Sequence, residues 1–225
     1  MKRRREMEKG SEIKSAIEEL SVLVQLKTSN SGSNHHDAEA YIPTRPFLYL
    51  CNLVIQVLDK IGPTMAVLRQ DMNQNVQRLE VQCNSDPSLY SNLVEILKKE
   101  AKEGNARKGS SSSKAFVWLT RSLDFSAALL QRLARDPGEE MEEAVEECYN
   151  ITLKPWHGWI SSAAFKVALK LIPDTKTIIS LLKPKDEPTH KLIEDMETFL
   201  SLLVPILDEI HSILTLYRLD KLKST

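Results

Sequence analysis

The chain has 225 residues, with 7 glycines, 31 leucines and a formal net charge of −1 from 30 Lys plus Arg and 31 Asp plus Glu. Leucine favours helices and glycine disfavours them, so the composition predicts an all-α protein. The balanced charge argues against nucleic-acid binding, which usually needs a basic excess. The scarcity of glycine argues against a phosphate-binding loop, and hence against a nucleotide-dependent enzyme.

Apolar residues at three- and four-residue spacings predict about eight helices in a single domain that covers residues 11–225. Ser11 and Thr64 are the predicted N-caps of the first and third helices, and Pro205 is expected to kink the last one. The predicted helical segments are residues 13–24, 46–58, 65–81, 89–97, 114–135, 139–153, 155–165 and, last, a long helix that begins at residue 189.

Three segments lack this periodicity. Residues 1–10 are basic and predict a flexible, solvated terminus, with a localisation or membrane-surface patch as the alternative. A polar loop follows the first helix and contains His35 and His36, which have no further ligand pair nearby, so we expect no metal there. The serine-rich residues 104–113 are expected to be flexible.

The three cysteines, Cys51, Cys83 and Cys148, are odd in number and far apart, which predicts buried free thiols in a reducing compartment. The first twenty residues show no apolar run of the kind that secretory signals carry. The longest uncharged stretch, residues 46–58, has 13 residues and is too short to span a membrane. We therefore expect a cytosolic protein.

Polar side chains stand in one column of the third predicted helix. Asp71, Asn75 and Arg78 occupy positions i, i+4 and i+7, which at about 100° per residue places them on one face. A carboxylate, an amide and a guanidinium together can hold a polyhydroxylated or amide-bearing headgroup. A solvated face with an ion pair is the alternative interpretation.

Tryptophans mark two further places. Trp118 lies on the long fifth predicted helix, where it is either a core residue or a plate for a sugar ring, and Arg121 one turn later is expected to pair with an acid. In the segment Trp156-His157-Gly158-Trp159, the histidine is either an interior residue or a hydrogen-bond donor to a ligand. No catalytic motif accompanies them, so we expect neither an enzyme nor a cofactor.

Residues 71–78, 118–123 and 157–159 resemble the glycolipid transfer protein family, and the resemblance covers nearly the whole chain. The family's headgroup site uses an aspartate, an asparagine four residues later, a lysine three further on, a tryptophan on a later helix and a histidine in an H-G-W segment. All five positions occur here in order, four of them with the same residue type. The resemblance implies an all-α two-layer sandwich that encloses a cavity for lipid chains.

The resemblance also implies a role for each residue of the site. Asp71 would accept the amide proton of the sphingoid base, and His157 would donate to the acyl carbonyl. Asn75 and Arg78 would hydrogen-bond to sugar hydroxyls, while Trp118 would lie beneath the first sugar ring.

Four other residues are candidates for contact with the ligand or the membrane. Trp159 would pack at the site and reach the membrane interface, where tryptophan is favoured. Trp156 and Arg121 are neighbours of the site in sequence. Animal members of the family carry a tyrosine near the C-terminus that reaches the sugar, and Tyr217 is the candidate equivalent.

Arg78 stands where the family usually has lysine, and the two side chains are not equivalent hydrogen-bond donors. We expect a single-sugar headgroup such as that of glucosylceramide. A sister branch carries ceramide-1-phosphate with a basic residue at the position of Asn75 and an arginine at that of Trp118, so these two residues favour the glycolipid branch. Arg78 and Arg121 keep ceramide-1-phosphate as an alternative, because two guanidiniums can hold a phosphate.

A lipid carrier must hide long chains from water at about 0.8 kcal/mol per methylene, which requires apolar lining beyond an ordinary core. The predicted lining segments are residues 46–58, 116–133, 165–172 and 199–216. We expect a monomer with a glycosphingolipid ligand and a transient, peripheral contact with membranes. A helical adaptor that senses sphingolipid and signals to protein partners is the alternative.

Overall fold

The structure is a computed structural model that describes residues 11–30 and 40–224. These residues form nine α-helices and two short 3₁₀ turns, and their only β-type pairing is an isolated bridge between Pro43 and Asn92. The all-α prediction is confirmed, with one helix more than expected. The helices are α1 (Glu12–Asn30), α2 (Thr44–Ile61), α3 (Ala66–Ser85), α4 (Leu93–Lys102), α5 (Ser112–Arg135), α6 (Met141–Thr152), α7 (Trp159–Leu169), α8 (Thr175–Leu182) and α9 (Thr189–Leu216).

The additional helix is α8, which lies in the proline-punctuated stretch. The Asp174 carboxylate caps it by accepting from the backbone N–H of Thr177 at 2.8 Å. The basic residues 1–10, as well as His35 and His36, lie outside the described residues.

Helix α5 is the centre of the packing. It contacts α3, α6 and α9, while α1 packs against α2 and α9. Phe116 of α5 meets Phe47 of α2 edge to face, with ring centroids 5.0 Å apart. All four predicted lining segments contribute to one contiguous apolar cluster, and each fully buried large side chain stabilises it by about 1.5–3 kcal/mol.

Helix α9 is long and apolar enough to cross a membrane by length and composition alone. Its apolar residues instead pack in the core: Leu192, Met196, Leu203 and Leu214 are all buried there. Helix α9 continues through Pro205 without interruption. We therefore interpret α9 as a core helix.

Two local predictions about helix starts have different outcomes. Ser11 does cap α1, because its hydroxyl accepts the backbone N–H three residues later at 3.3 Å. The prediction for Thr64 is wrong: a 3₁₀ turn (Pro63–Met65) precedes α3, and neither element has a side-chain cap.

Two residues of the apolar pattern that predicts α3 do not pack in the core: Val67 and Val81 are exposed, at 72% and 71%.

The three cysteines are free and buried, as the sequence predicts. Burial raises the pKa of the Cys51 thiol far above its ordinary value and that of Cys148 to about 11. The thiols of Cys51 and Cys148 therefore stay protonated, and these two residues behave as small apolar core residues.

The serine-rich segment is more ordered than expected at its C-terminal end. Ser111, Ser112 and Ser113 are buried, and the Glu100 carboxylate accepts from the backbone N–H groups of Ser112 at 2.8 Å and Ser113 at 2.7 Å. The Ser113 hydroxyl also donates to Glu100. A carboxylate at a helix N-terminus satisfies unpaired N–H groups and is favoured by the helix dipole, so Glu100 fixes the start of α5.

We expect Glu100→Ala to lower the free energy of unfolding by about 1–3 kcal/mol, because it leaves buried donors of α5 without an acceptor. Urea unfolding followed by circular dichroism measures this. Glu103→Ala is the control, since the exposed Glu103 carboxylate accepts from the Asn105 amide at 3.2 Å and bonds to no N–H group of α5 among the hydrogen bonds of the described residues. Equal stability of the two variants would show that Glu100 does not hold the start of α5.

Candidate functional site

Three predicted site residues, Asp71, Asn75 and Arg78, stand along one face of α3, and we call them the α3 column. Asn75 is buried, and its amide donates to the backbone carbonyl of Asp71 at 3.0 Å and to the Asp71 carboxylate at 3.4 Å. Arg78 is half-buried and donates to the carbonyl of Gly109 at 3.4 Å. The column is thus internally bonded and extends to the loop before α5.

The Asp71 carboxyl lies at the surface, yet the helices behind it remove part of its hydration. This desolvation raises its pKa above the ordinary value, while the positive charge of Arg78 acts in the opposite direction. A partly desolvated carboxylate is a stronger hydrogen-bond acceptor than one fully surrounded by water.

Trp118 is the one half-exposed residue in the buried first part of α5. From Ser112 to Arg121 every residue of α5 is buried except Trp118, which is half-exposed. Its indole lies beside the His157 imidazole, with ring centroids 5.5 Å apart and planes inclined by 33°. The structure thus brings together a tryptophan and a histidine that are 39 residues apart in sequence.

Tyr149 of α6 is a member of this site that the sequence did not reveal. Its hydroxyl lies 3.2 Å from Nδ1 of His157 and 3.2 Å from the Ser162 hydroxyl. Its ring stacks on Phe165 of α7, with centroids 3.5 Å apart. Tyr149 therefore fixes the orientation of the imidazole, and only its spacing of eight residues from His157 could have suggested the contact.

Arg121 has different partners from those expected. Its guanidinium donates to the backbone carbonyls of Leu222 at 2.7 Å and Asp220 at 2.9 Å, not to an acidic side chain. It also lies over two indoles, 4.9 Å from the centroid of Trp118 and 4.2 Å from that of Trp156. Burial lowers its pKa to about 10, so the guanidinium remains charged at neutral pH and makes cation–π contacts.

The remaining candidates occupy the edges of this region. Trp159 begins α7 and is 81% exposed, with Ile160 and Val167 of the same helix also exposed. Tyr217 forms the C-cap of α9, half-buried against the core. The structure thus brings together Trp118, Tyr149, Trp156 and His157, which we call the aromatic cluster. Of these, Trp118 lies on α5, the helix that packs against α3.

Neither a metal nor a charged catalytic group is indicated within the described residues. No group of three or more His, Cys, Asp or Glu side chains there could hold a metal ion. Burial, together with the charge of Arg121, lowers the pKa of His157. The imidazole is therefore neutral at pH 7 and acts as a hydrogen-bonding group.

We expect the two histidines near the core to titrate on opposite sides of their ordinary pKa, near 6.5. His157 should titrate below this value, whereas the hydrogen bond of His211 to Asp124, at 2.9 Å, raises the pKa of His211. Histidine-ring NMR across pH 4–9 measures both. Asp124→Asn should lower the pKa of His211 and leave His157 unchanged; the reverse order in the wild type would contradict the assignment.

Comparison with known proteins supplies the family. A family model described as Glycolipid transfer protein matches residues 42–184. Glycolipid transfer protein 3 of Arabidopsis thaliana is 58% identical over an alignment of 232 positions, gaps included, that covers 100% of both chains. Glycolipid transfer protein 2 of the same plant is 53% identical, again over 100% of both.

Solved structures agree on the fold. The FAPP2 structure, concerned with how that protein selects simple glycosphingolipids using the GLTP-fold, matches with a TM-score of 0.76 at 24% identity, over 84% of this chain and 92% of that one. Arabidopsis ACD11 complexed with ceramide-1-phosphate matches with a TM-score of 0.78 at 17% identity, over 94% and 98%. These likenesses confirm the predicted fold, and the family model and the two full-length relatives show that the chain belongs to the glycolipid transfer protein family.

Proposed function

We propose that the protein binds a single-sugar glycosphingolipid such as glucosylceramide and transfers it between membranes through the cytosol. The observation that carries this proposal is the half-exposed Trp118 beside His157, on a helix that is buried at every neighbouring position. An indole face is a suitable surface for the C–H face of a sugar ring.

The polar groups supply the hydrogen bonds that a ceramide amide needs. Asp71 accepts the amide proton, and its partial desolvation strengthens that bond. Neutral His157 donates from Nε2 to the acyl carbonyl when Nδ1 carries no proton. The Tyr149 hydroxyl, 3.2 Å from Nδ1, then donates its single proton to Nδ1 in place of the Ser162 hydroxyl. A ligand that covers Asp71 and His157 without hydrogen-bonding to them leaves their polar atoms unpaired, at about 1–3 kcal/mol each.

The sugar hydroxyls are assigned to the other two members of the α3 column. Asn75 uses its amide N–H₂ on Asp71, so its carbonyl oxygen is the group that accepts from a hydroxyl. Arg78 makes one long contact with Gly109 and keeps further N–H donors for the sugar.

Ceramide-1-phosphate is less well supported as the ligand. Holding a phosphate requires cations that the ligand can reach. Arg121 is only 4% exposed, and two of its N–H groups donate to the carbonyls of Leu222 and Asp220. Arg78 alone would then face the phosphate. The geometry therefore favours a neutral headgroup.

A weak membrane contact is assigned to α7. Trp159, Ile160 and Val167 expose apolar surface on this helix, and a tryptophan is well suited to the boundary between water and lipid. The formal net charge of −1 gives no strong attraction to anionic lipids. The contact is thus reversible, as a peripheral and monomeric carrier requires.

The test of this function is transfer between vesicles of fluorescent glucosylceramide, galactosylceramide and ceramide-1-phosphate, compared in parallel. We expect transfer of the two single-sugar lipids and little of the phosphate lipid. Transfer of the phosphate lipid alone would assign the chain to the other ligand class. Binding without any transfer would favour the sphingolipid-sensing adaptor.

Trp118→Ala should reduce glucosylceramide transfer about tenfold, the loss expected when about 1.4 kcal/mol of headgroup binding is removed. Thermal unfolding should change much less, because the indole is only half-buried. Trp118→Tyr is the matched variant: it retains a flat ring and should keep most of the transfer. Parallel losses of transfer and stability in Trp118→Ala would instead make Trp118 a core residue.

Trp159→Ala and Val167→Ala should weaken binding to neutral phosphatidylcholine vesicles and slow transfer, since each removes exposed apolar surface from α7. Vesicle co-sedimentation and the transfer assay measure these effects. Val22→Ala on α1 is the control for Val167→Ala, as the two valines are 51% and 64% exposed. Membrane binding that falls equally in both valine variants would remove α7 as the docking surface.

A further inference from the structure

The chain after α9 turns back onto the aromatic cluster. Arg218 adopts a left-handed conformation with φ of 56°, and the N–H of Leu219 bonds to the carbonyl of Leu214 at 2.8 Å. Few residues other than glycine adopt such a backbone conformation. The reversal buries Leu219 and directs residues 219–224, which we call the C-terminal segment, toward α5 and the start of α7.

Arg121 holds the middle of this segment. Its two terminal nitrogens donate to two backbone carbonyls of the segment, those of Leu222 and Asp220, at 2.7 and 2.9 Å. Only 4% of Arg121 is exposed, so these bonds are shielded from water. A buried guanidinium must have acceptors, and the segment provides them.

The same guanidinium lies against both indoles of the site. It is 4.9 Å from the centroid of Trp118 and 4.2 Å from that of Trp156. A cavity of about 200 Å³ adjoins it, lined in part by Arg121, Trp156 and Asp220. The guanidinium therefore has room to shift unless the carbonyls of the segment hold it in place.

The end of the segment holds the loop that carries His157. The N–H of Ser224 donates to the carbonyl of Trp156 at 2.8 Å, and the N–H of Gly158 donates to the Ser224 hydroxyl at 2.7 Å. One segment thus supports Trp118 through Arg121 and His157 through its two neighbours in the chain.

We propose that Arg121 and the C-terminal segment are positioning elements that set the separation of Trp118 and His157 for a glycosylceramide headgroup. This inference rests on the proposed function. Neither element touches the ligand; each acts through the ring or the loop that it holds. A displacement of about 1 Å in such a supporting contact is enough to weaken a site.

The principal variant is Arg121→Lys, which keeps the positive charge but replaces the two-pronged donor by one ammonium. We expect its Kd for glucosylceramide to rise about tenfold, with the melting temperature close to that of the wild type. Ser224→Ala removes the acceptor of the Gly158 N–H at the surface, where misfolding is not at issue, and should raise the Kd about threefold. Isothermal titration calorimetry with short-chain glucosylceramide measures the Kd of both variants.

A second measurement needs no ligand. In a Trp159→Phe background the remaining indoles are Trp118 and Trp156, both beside Arg121. Tryptophan emission should shift in Arg121→Lys and, to a smaller extent, in Ser224→Ala. A role limited to overall stability would leave the emission of the folded protein unchanged.

Arg107→Lys is the matched control. The Arg107 guanidinium also donates to a backbone carbonyl, that of Arg218 just before the C-terminal segment, but it is not among the cations that lie over Trp118 or Trp156. Kd and emission values for Arg121→Lys that equal those of Arg107→Lys would overturn the proposal. If the wild type binds no glycosylceramide, the proposed function fails. The emission measurement then still decides whether Arg121 positions the indoles.

Discussion

The burial of the N-terminal part of α5, residues 112–121, is the constraint on which the rest of the structure depends. A helix surrounded by protein must have partners for its terminal N–H groups and for every polar side chain it carries. Glu100 meets the first requirement at the N-terminus, and the carbonyls of Asp220 and Leu222 meet the second at Arg121. Between Ser112 and Arg121, where these bonds hold the helix, Trp118 is the only half-exposed residue. The helix cannot rotate about its axis, so the direction of the Trp118 side chain is fixed.

Much of the fold could be predicted because its signals are local. Apolar periodicity located most of the helices, and a single hydroxyl at the right offset identified Ser11 as a cap. Serine-rich residues 104–113 were expected to be flexible because serine is common in loops. Their ordered end depends on Glu100, a carboxylate supplied by the preceding helix, which local composition cannot reveal.

The candidate site shows the same division. Asp71, Asn75 and Arg78 share a helix, so the helical repeat alone places them on one face. The contact of Trp118 with His157 was available only through family resemblance, because it joins α5 to a loop after α6. The partners of Arg121 lie about 100 residues away, at separations of 99 and 101. They are backbone carbonyls, which every residue has, so no residue type in the sequence indicates which of them accept from Arg121.

The proposed preference for a neutral ligand over an anionic one rests on the charges of the region. Burial lowers the pKa of His157, and the positive charge of the neighbouring Arg121 acts in the same direction. The site therefore presents a neutral imidazole, a neutral amide and one carboxylate, with Arg78 as the cation nearest to that carboxylate. Both lipid classes carry the ceramide amide, so the proposed selection rests on the headgroup. Sugar hydroxyls both donate and accept, and so complement the Asn75 carbonyl oxygen and Arg78, whereas an ionised phosphate offers only acceptors. In the proposed function, selection between the two lipid classes depends on whether a ligand can reach each arginine, more than on how many arginines there are.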